Sequence, residues 1–243
     1  MLPILYQDEY LVVIDKPSGL LVHRSMIDKH ETRFALQLIR DQIGQYVYPV
    51  HRLDKPTSGV LMMALSSDVA AKLNEQFTQH TVTKKYIALV RGHTSPQGCI
   101  DYALKEQLDK MTDKQAQQQK PAQEAITHYK TLWQGEVPIR VGRYPSARYS
   151  LLSLTPETGR KHQLRRHMKH IFHPIVGDTT HGDGKHNAMF REIFKLNRLL
   201  LVAKELNFKH PVTEQSIQLS ASIGEEFETI LLGLGCPLES IEG

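Results

Sequence analysis

The chain has very little cysteine. Cys99 and Cys236 are the only two, and they lie far apart at no metal-ligand spacing. No apolar run approaches the ~18 residues needed to span a bilayer. The opening Met1-Leu2-Pro3-Ile4-Leu5-Tyr6-Gln7-Asp8-Glu9 lacks the basic and long apolar regions of an export signal. Reduced thiols in a cytoplasm are therefore expected. Catalytic signatures are missing as well. The 13 histidines include no H-E-x-x-H, and no H-x-E…P-C-x-x-C occurs, so neither a metalloprotease nor a zinc deaminase is indicated. There is no G-x-G-x-x-G or Walker loop for a nucleotide. His51-Arg52-Leu53-Asp54 has the wrong residue order for a kinase loop and no Gly-rich partner.

The charge is unevenly spread. Lys+Arg 30 against Asp+Glu 26 gives only +4, yet Arg160 to His173 holds five Lys/Arg, four His and no acid. Beyond Lys209 there is no Lys or Arg, while Glu214, Glu225, Glu226, Glu228, Glu239 and Glu242 accumulate. Such polarisation fits an anion-binding face, and equally a solvated helix face.

Hydrophobic content of 40% over 243 residues suffices for one large core or two small ones. Tyr10–Ile14, Leu20–Val22, Val60–Ala64, Lys85–Arg91, Tyr149–Leu154, Leu199–Val202, Leu206–Phe208 and Ile217–Leu219 have strand character. Apolar spacing predicts helices ending at Gly44, starting after Ser66 or Ser67, over Ala188–Leu196 and over Phe227–Leu234. Leu164, Met168, Ile171 and Phe172 predict an amphipathic helix from Arg160 to His173, stopped by Pro174, with Arg165, Arg166 and Lys169 on its polar face. Strands cluster without regular βαβ alternation. The expected class is α+β with a mixed, mostly antiparallel sheet flanked by helices and loops, in one domain over residues 1–243. Lys105–Glu124, polar and Gln-rich, reads as a flexible insertion.

At the centre lies His51-Arg52-Leu53-Asp54-Lys55-Pro56-Thr57-Ser58-Gly59-Val60. Pro and Gly make Lys55–Gly59 a turn, and the apolar run after it anchors that turn to a core. A reactive carboxylate at Asp54 would be held rigidly there. The plainer alternative is an Asp54–Arg52 pair or a capped turn. A carboxylate on a turn, a basic helix and a Tyr/Arg-bearing strand suit covalent or acid–base work on an anionic polymer without a cofactor.

The H-R-L-D-x-x-T-S-G block resembles the catalytic motif of RluA-type RNA pseudouridine synthases. Three further blocks match in order: Ile14–His23, Lys85–Gly92, and Thr158–His167 followed by His173–Asp178. The resemblance spans about residues 4–220 and implies the pseudouridine synthase fold. It also implies an isomerisation in which uracil leaves ribose C1′, rotates and rejoins through C5, with no cofactor and no metal. By this resemblance Asp54 is the essential carboxylate, adding to the sugar or the ring or taking a proton. Tyr86 stacks on the uracil, and Arg165 supplies the counter-charge. Arg52 fills the space of the flipped base or holds phosphate. Leu164 and Val202 are weaker pocket-wall candidates, and Arg160, Lys161, Arg166 and Lys169 are candidate RNA contacts. Lys55-Pro56, Lys161, Val202 and the 105–124 insertion depart from the common pattern. They resemble a subgroup acting on uridine 65 of the tRNA T-stem. No S4-like domain precedes residue 10, so the catalytic domain is expected to hold its RNA alone, as a monomer. The alternatives are a ribosomal RNA substrate, or a non-catalytic RNA-binding protein on the same fold.

Overall fold

The computed structural model describes residues 1–23, 31–106 and 121–242. Most of the expected 105–124 insertion, residues 107–120, lies outside them. In chain order the elements are β1 (Ile4–Gln7), β2 (Leu11–Lys16), α1 (Ala35–Ile43), β3 (Tyr48–Pro49), β4 (Ser58–Ala64), α2 (Ser67–Thr78) and β5 (Thr83–Arg91). There follow β6 (Gln97–Asp101), β7 (Ile126–Val137), β8 (Ala147–Pro156), α3 (Gln163–His170), α4 (Gly184–Phe194), β9 (Leu201–Lys209), β10 (Ser216–Ser220) and α5 (Glu225–Gly233). A 3-10 turn, Leu238–Glu242, follows α5.

The chain divides into two compact units. The first comprises Met1–Lys84, Ala103–Glu124 and Ala203–Ser222. Its strands run β1-β2-β4-β9, with β3 on β4 and β10 on β9. β2 pairs antiparallel with β4 from Leu11↔Ala64 to Lys16↔Gly59. Every residue of β4 is buried, which accounts for its unbroken apolar reading. Gly59 is needed: its φ is +108°, and a Cβ there would lie 2.2 Å from the Ala203 carbonyl oxygen. α2 starts where Ser66 Oγ accepts the Val69 N–H (3.3 Å). It buries Val69, Ala70 and Leu73 against Leu11, Val13, Val60, Met62, Leu206 and Phe208.

The second unit comprises Lys85–Tyr102, Ala125–Val202 and Ile223–Gly243, with strands in the order β5-β8-β7-β6. The β5–β8, β8–β7 and β7–β6 pairings are antiparallel. β5 alternates its faces. Ile87 and Leu89 meet Phe190 of α4 and Phe227, Ile230 and Leu231 of α5. Ala88 and Val90 meet Leu164 and Met168 of α3. Asp183 caps α4 by accepting the Lys185 N–H (2.9 Å). Glu225, Glu226 and Glu228 occupy the first turn of α5, where acids favour the helix dipole.

The α+β, mostly antiparallel expectation is met. Three local expectations are corrected. Leu20–Val22 is no strand and contributes only an isolated parallel bridge, Leu21↔Phe34. Leu201–Lys209 is one strand, not two. α3 is shorter than Arg160–His173 at both ends. His162 before it and Phe172 after it have left-handed backbones (φ +55° and +65°), which a helix cannot contain.

Candidate active site

In the first unit, Asp54 is half-buried in the loop between β3 and β4, with Arg52 exposed and Leu53 in the core. The Thr57 N–H closes a turn on the Asp54 carbonyl (3.0 Å). A second segment holds that turn from behind. The Gly19 N–H donates to the Lys55 carbonyl (2.9 Å), and Ser18 Oγ donates to the Pro56 carbonyl (2.7 Å). Lys16, fully buried at the end of β2, donates its ammonium to the carbonyls of Pro17 (2.9 Å), Leu20 (2.8 Å) and Lys55 (3.2 Å). A buried ammonium is tolerated only when so satisfied. It ties the Lys16–Leu20 segment to the Asp54 turn. His51 anchors the other side: Nε2 accepts the Met62 N–H (2.9 Å), and the ring stacks on Phe77. Burial first, then the positive charge of Lys84, pushes its pKa down to about 4, so it is neutral at pH 7.

In the second unit, Tyr86 is half-buried on β5 and packs in the cluster that includes Leu164 and Met168. The segment entering α3 is fixed by the buried Gln163. Its Oε1 accepts Thr158 Oγ1–H (2.8 Å) and the Arg160 N–H (2.9 Å). Its Nε2 donates to the Ile126 carbonyl (3.0 Å) and Thr127 Oγ1 (3.1 Å). Next in the chain, Leu164 and Arg165 are 7% and 4% exposed. The Arg165 guanidinium lies side-on against Asp178, Nε to Oδ2 at 2.7 Å and Nη2 to Oδ1 at 2.8 Å. Asp178 Oδ1 also accepts the N–H groups of Thr180 and His181, each at 2.9 Å. Burial raises the Asp178 pKa, but these donors together outweigh it and leave the carboxyl below its usual value. His181 lies 3.1 Å (Nε2) from His162 Nδ1. Burial pushes His181 below the ordinary histidine value, and Arg165, Lys169 and Arg166 add to this against the pull of Asp178.

The proposed residues thus divide between the units: Arg52 and Asp54 in the first, and Tyr86, Arg160, Lys161, Leu164, Arg165, Arg166 and Lys169 in the second. Arg160 and Lys161 are exposed in the turn before α3 and not on the helix itself. Lys169 is exposed on α3 and Arg166 half-buried. Val202 is fully buried. His167, His170 and His173 recur at intervals of three in the sequence, but His167 is a core residue bonded to Thr127 Oγ1 and the Tyr102 carbonyl, each at 3.0 Å. His173 lies beyond the helix. Among the described residues no group of three or more His, Cys, Asp or Glu could hold a metal ion. Sequence reasoning missed Lys16 as the holder of the Asp54 turn and Asp178 as the partner of Arg165. The only signal for either was its place inside a matching block.

The profile described as RNA pseudouridylate synthase matches residues 10–170. The tRNA pseudouridine synthase C of Vibrio parahaemolyticus is 56% identical over 94% of this chain and 93% of its own. That of Pasteurella multocida is 53% identical over 99% of each chain. Among solved structures, human RNA pseudouridylate synthase domain containing 4 superposes with a TM-score of 0.70 at 28% identity, over 96% of this chain and 93% of its own. A profile over residues 10–170, near full-length relatives and a matching fold agree, and the chain belongs to the RNA pseudouridylate synthase family, whose members convert uridine in RNA to pseudouridine.

Proposed function

We propose that the substrate is tRNA and the target uridine 65 of the T-stem, with Asp54 as the essential carboxylate. The C1′–N1 bond breaks and a C1′–C5 bond forms. C5 loses a proton and N1 gains one, so the product is an isomer and no redox partner or metal is required. Arg165 serves as the counter-charge to that carboxylate. The side-on pair with Asp178 uses two of its five N–H groups and fixes the plane of the guanidinium. Tyr86 offers its ring to the uracil, with Leu164 as wall. Arg52, exposed beside Asp54, takes the place of the extruded base, since C1′ is reached only after flipping. Arg160, Lys161, Arg166 and Lys169 take phosphates and 2′-hydroxyls of an A-form stem. We place this activity in the cytoplasm, in a monomer acting as one catalytic domain. The family profile running through segments of both units supports the single domain.

The observation that carries the substrate is identity of 53–56% over nearly whole chains to proteins named tRNA pseudouridine synthase C. The test incubates purified protein with intact tRNA and with short ribosomal stem-loops, then maps pseudouridine. Modification of the T-stem uridine in tRNA alone is expected. Efficient modification of the ribosomal fragments, with that uridine untouched, rejects the substrate. Asp54→Asn should bind tRNA and melt as wild type does, yet form no product. Turnover above about a tenth of wild type, a barrier change of only ~1.4 kcal/mol, rejects Asp54.

A further inference from the structure

α3 closes with paired hydrogen bonds, Phe172 N–H to the Lys169 carbonyl (3.0 Å) and His173 N–H to the Met168 carbonyl (2.9 Å). This closure places its first residue beyond the cap in the left-handed region, a position that strongly favours glycine. Here that residue is phenylalanine, with φ +65°. A bulky side chain there is disfavoured. The Phe172 ring is 79% exposed, and of the exposed large apolar side chains described only Met1 is more so.

The backbone beneath the ring is fixed. Arg91 Nη2 donates to the Phe172 carbonyl (3.0 Å), while Arg91 Nη1 is ion-paired with Asp183. His173 Nδ1 bonds the Arg91 carbonyl (2.9 Å). The ring is therefore held out on a locked support, not carried by a loose loop. The helix it terminates is basic and carries an aromatic stack. Arg166, Lys169 and His170 precede it on α3, and Tyr102, 44% exposed, stacks on His170 with ring centroids 3.7 Å apart at 15°. A flat apolar face beside cations matches the chemistry of an unpaired nucleobase with its flanking phosphates.

We infer that Phe172 is a stacking platform for an unpaired base of the RNA substrate, retained against the preference of the fold for glycine at that position. The occupant rests on the tRNA reading above. Stacking on an aromatic ring contributes roughly five- to a hundred-fold in affinity. Phe172→Gly should therefore move stability and binding in opposite directions. The melting midpoint should rise by about 2 °C as backbone strain is relieved. The Kd and KM for tRNA should rise by roughly five-fold or more, with the loss in KM and not in kcat. Phe172→Trp should keep affinity, and Phe172→Leu should fall between.

Unchanged Kd and KM for tRNA in Phe172→Gly overturn the inference. So does a lowered melting midpoint with unchanged binding, which would make the ring structural. Self-association of wild type that Phe172→Gly abolishes, with tRNA affinity unchanged, would assign the ring to a protein contact instead. If wild type itself neither binds nor modifies tRNA, the substrate reading fails separately. The same variants are then compared on the RNA that wild type does modify, with the same criteria.

Discussion

Arg165 and Asp178 form a pair 4% and 1% exposed, and such a pair is easier to break than to replace. Removing one partner leaves an uncompensated buried charge, at about 3–5 kcal/mol. Arg165→Met should therefore lose stability on that scale and abolish pseudouridine formation. Arg165→Met/Asp178→Leu should recover part of the stability, because an apolar pair can substitute for a buried ion pair. The recovery is partial, since the Thr180 and His181 N–H groups lose their acceptor. It should restore no turnover. Urea midpoints and product assays on the three proteins separate the two effects, and an active double variant would dismiss Arg165 as the counter-charge. Asp54, Tyr86 and Arg165 could be nominated from the sequence because each sits in a motif block whose order suggests a role. Lys16 and Asp178 were not legible as supports. A lysine ending a strand and an aspartate after Gly177 look solvated until the chain folds over them.

Elements were legible where burial alone decides them. β4, buried throughout, and β5, alternating between two helical layers, follow from hydrophobic pattern. β1 and β6 escaped, being edge strands with few buried residues, and pairing rather than pattern makes them strands. The β3–β4 connection carries its own pH dependence. His51 Nε2 faces the Met62 N–H and cannot also bind a proton. Its folded pKa of about 4 lies below the ordinary 6.5, so protons favour the unfolded chain. The stabilisation is complete above about pH 6.5 and is lost as pH falls through about 4. His51→Gln retains an acceptor for Met62 without that titration. The gap in urea midpoint between wild type and variant should shrink, or reverse in favour of the variant, between about pH 7 and about pH 4.5. Parallel curves would show that His51 does not titrate this way.

At the scale of the whole molecule, charge is sorted along the chain far more than its net +4 indicates. Part of the sorting is structural. Glu225, Glu226 and Glu228 sit on the first turn of α5, where they favour the helix dipole and need no partner outside the fold. In the basic stretch Lys169 and His170 likewise sit in the last turn of α3, where cations favour the dipole, but Arg160 and Lys161 lie exposed before the helix, outside the reach of that effect. Neutralising phosphates releases counterions, so tRNA affinity should fall steeply with salt. Lys169→Glu and Arg166→Glu should each flatten the plot of log Kd against log salt by about one unit of slope. Glu226→Lys adds a positive charge to the same unit, but on α5. It should leave the slope unchanged while costing about 0.3–1 kcal/mol through the helix dipole. If all three substitutions move the slope according to charge alone, the protein is attracting RNA through its overall field. If only the two on α3 move it, the phosphates lie against that helix.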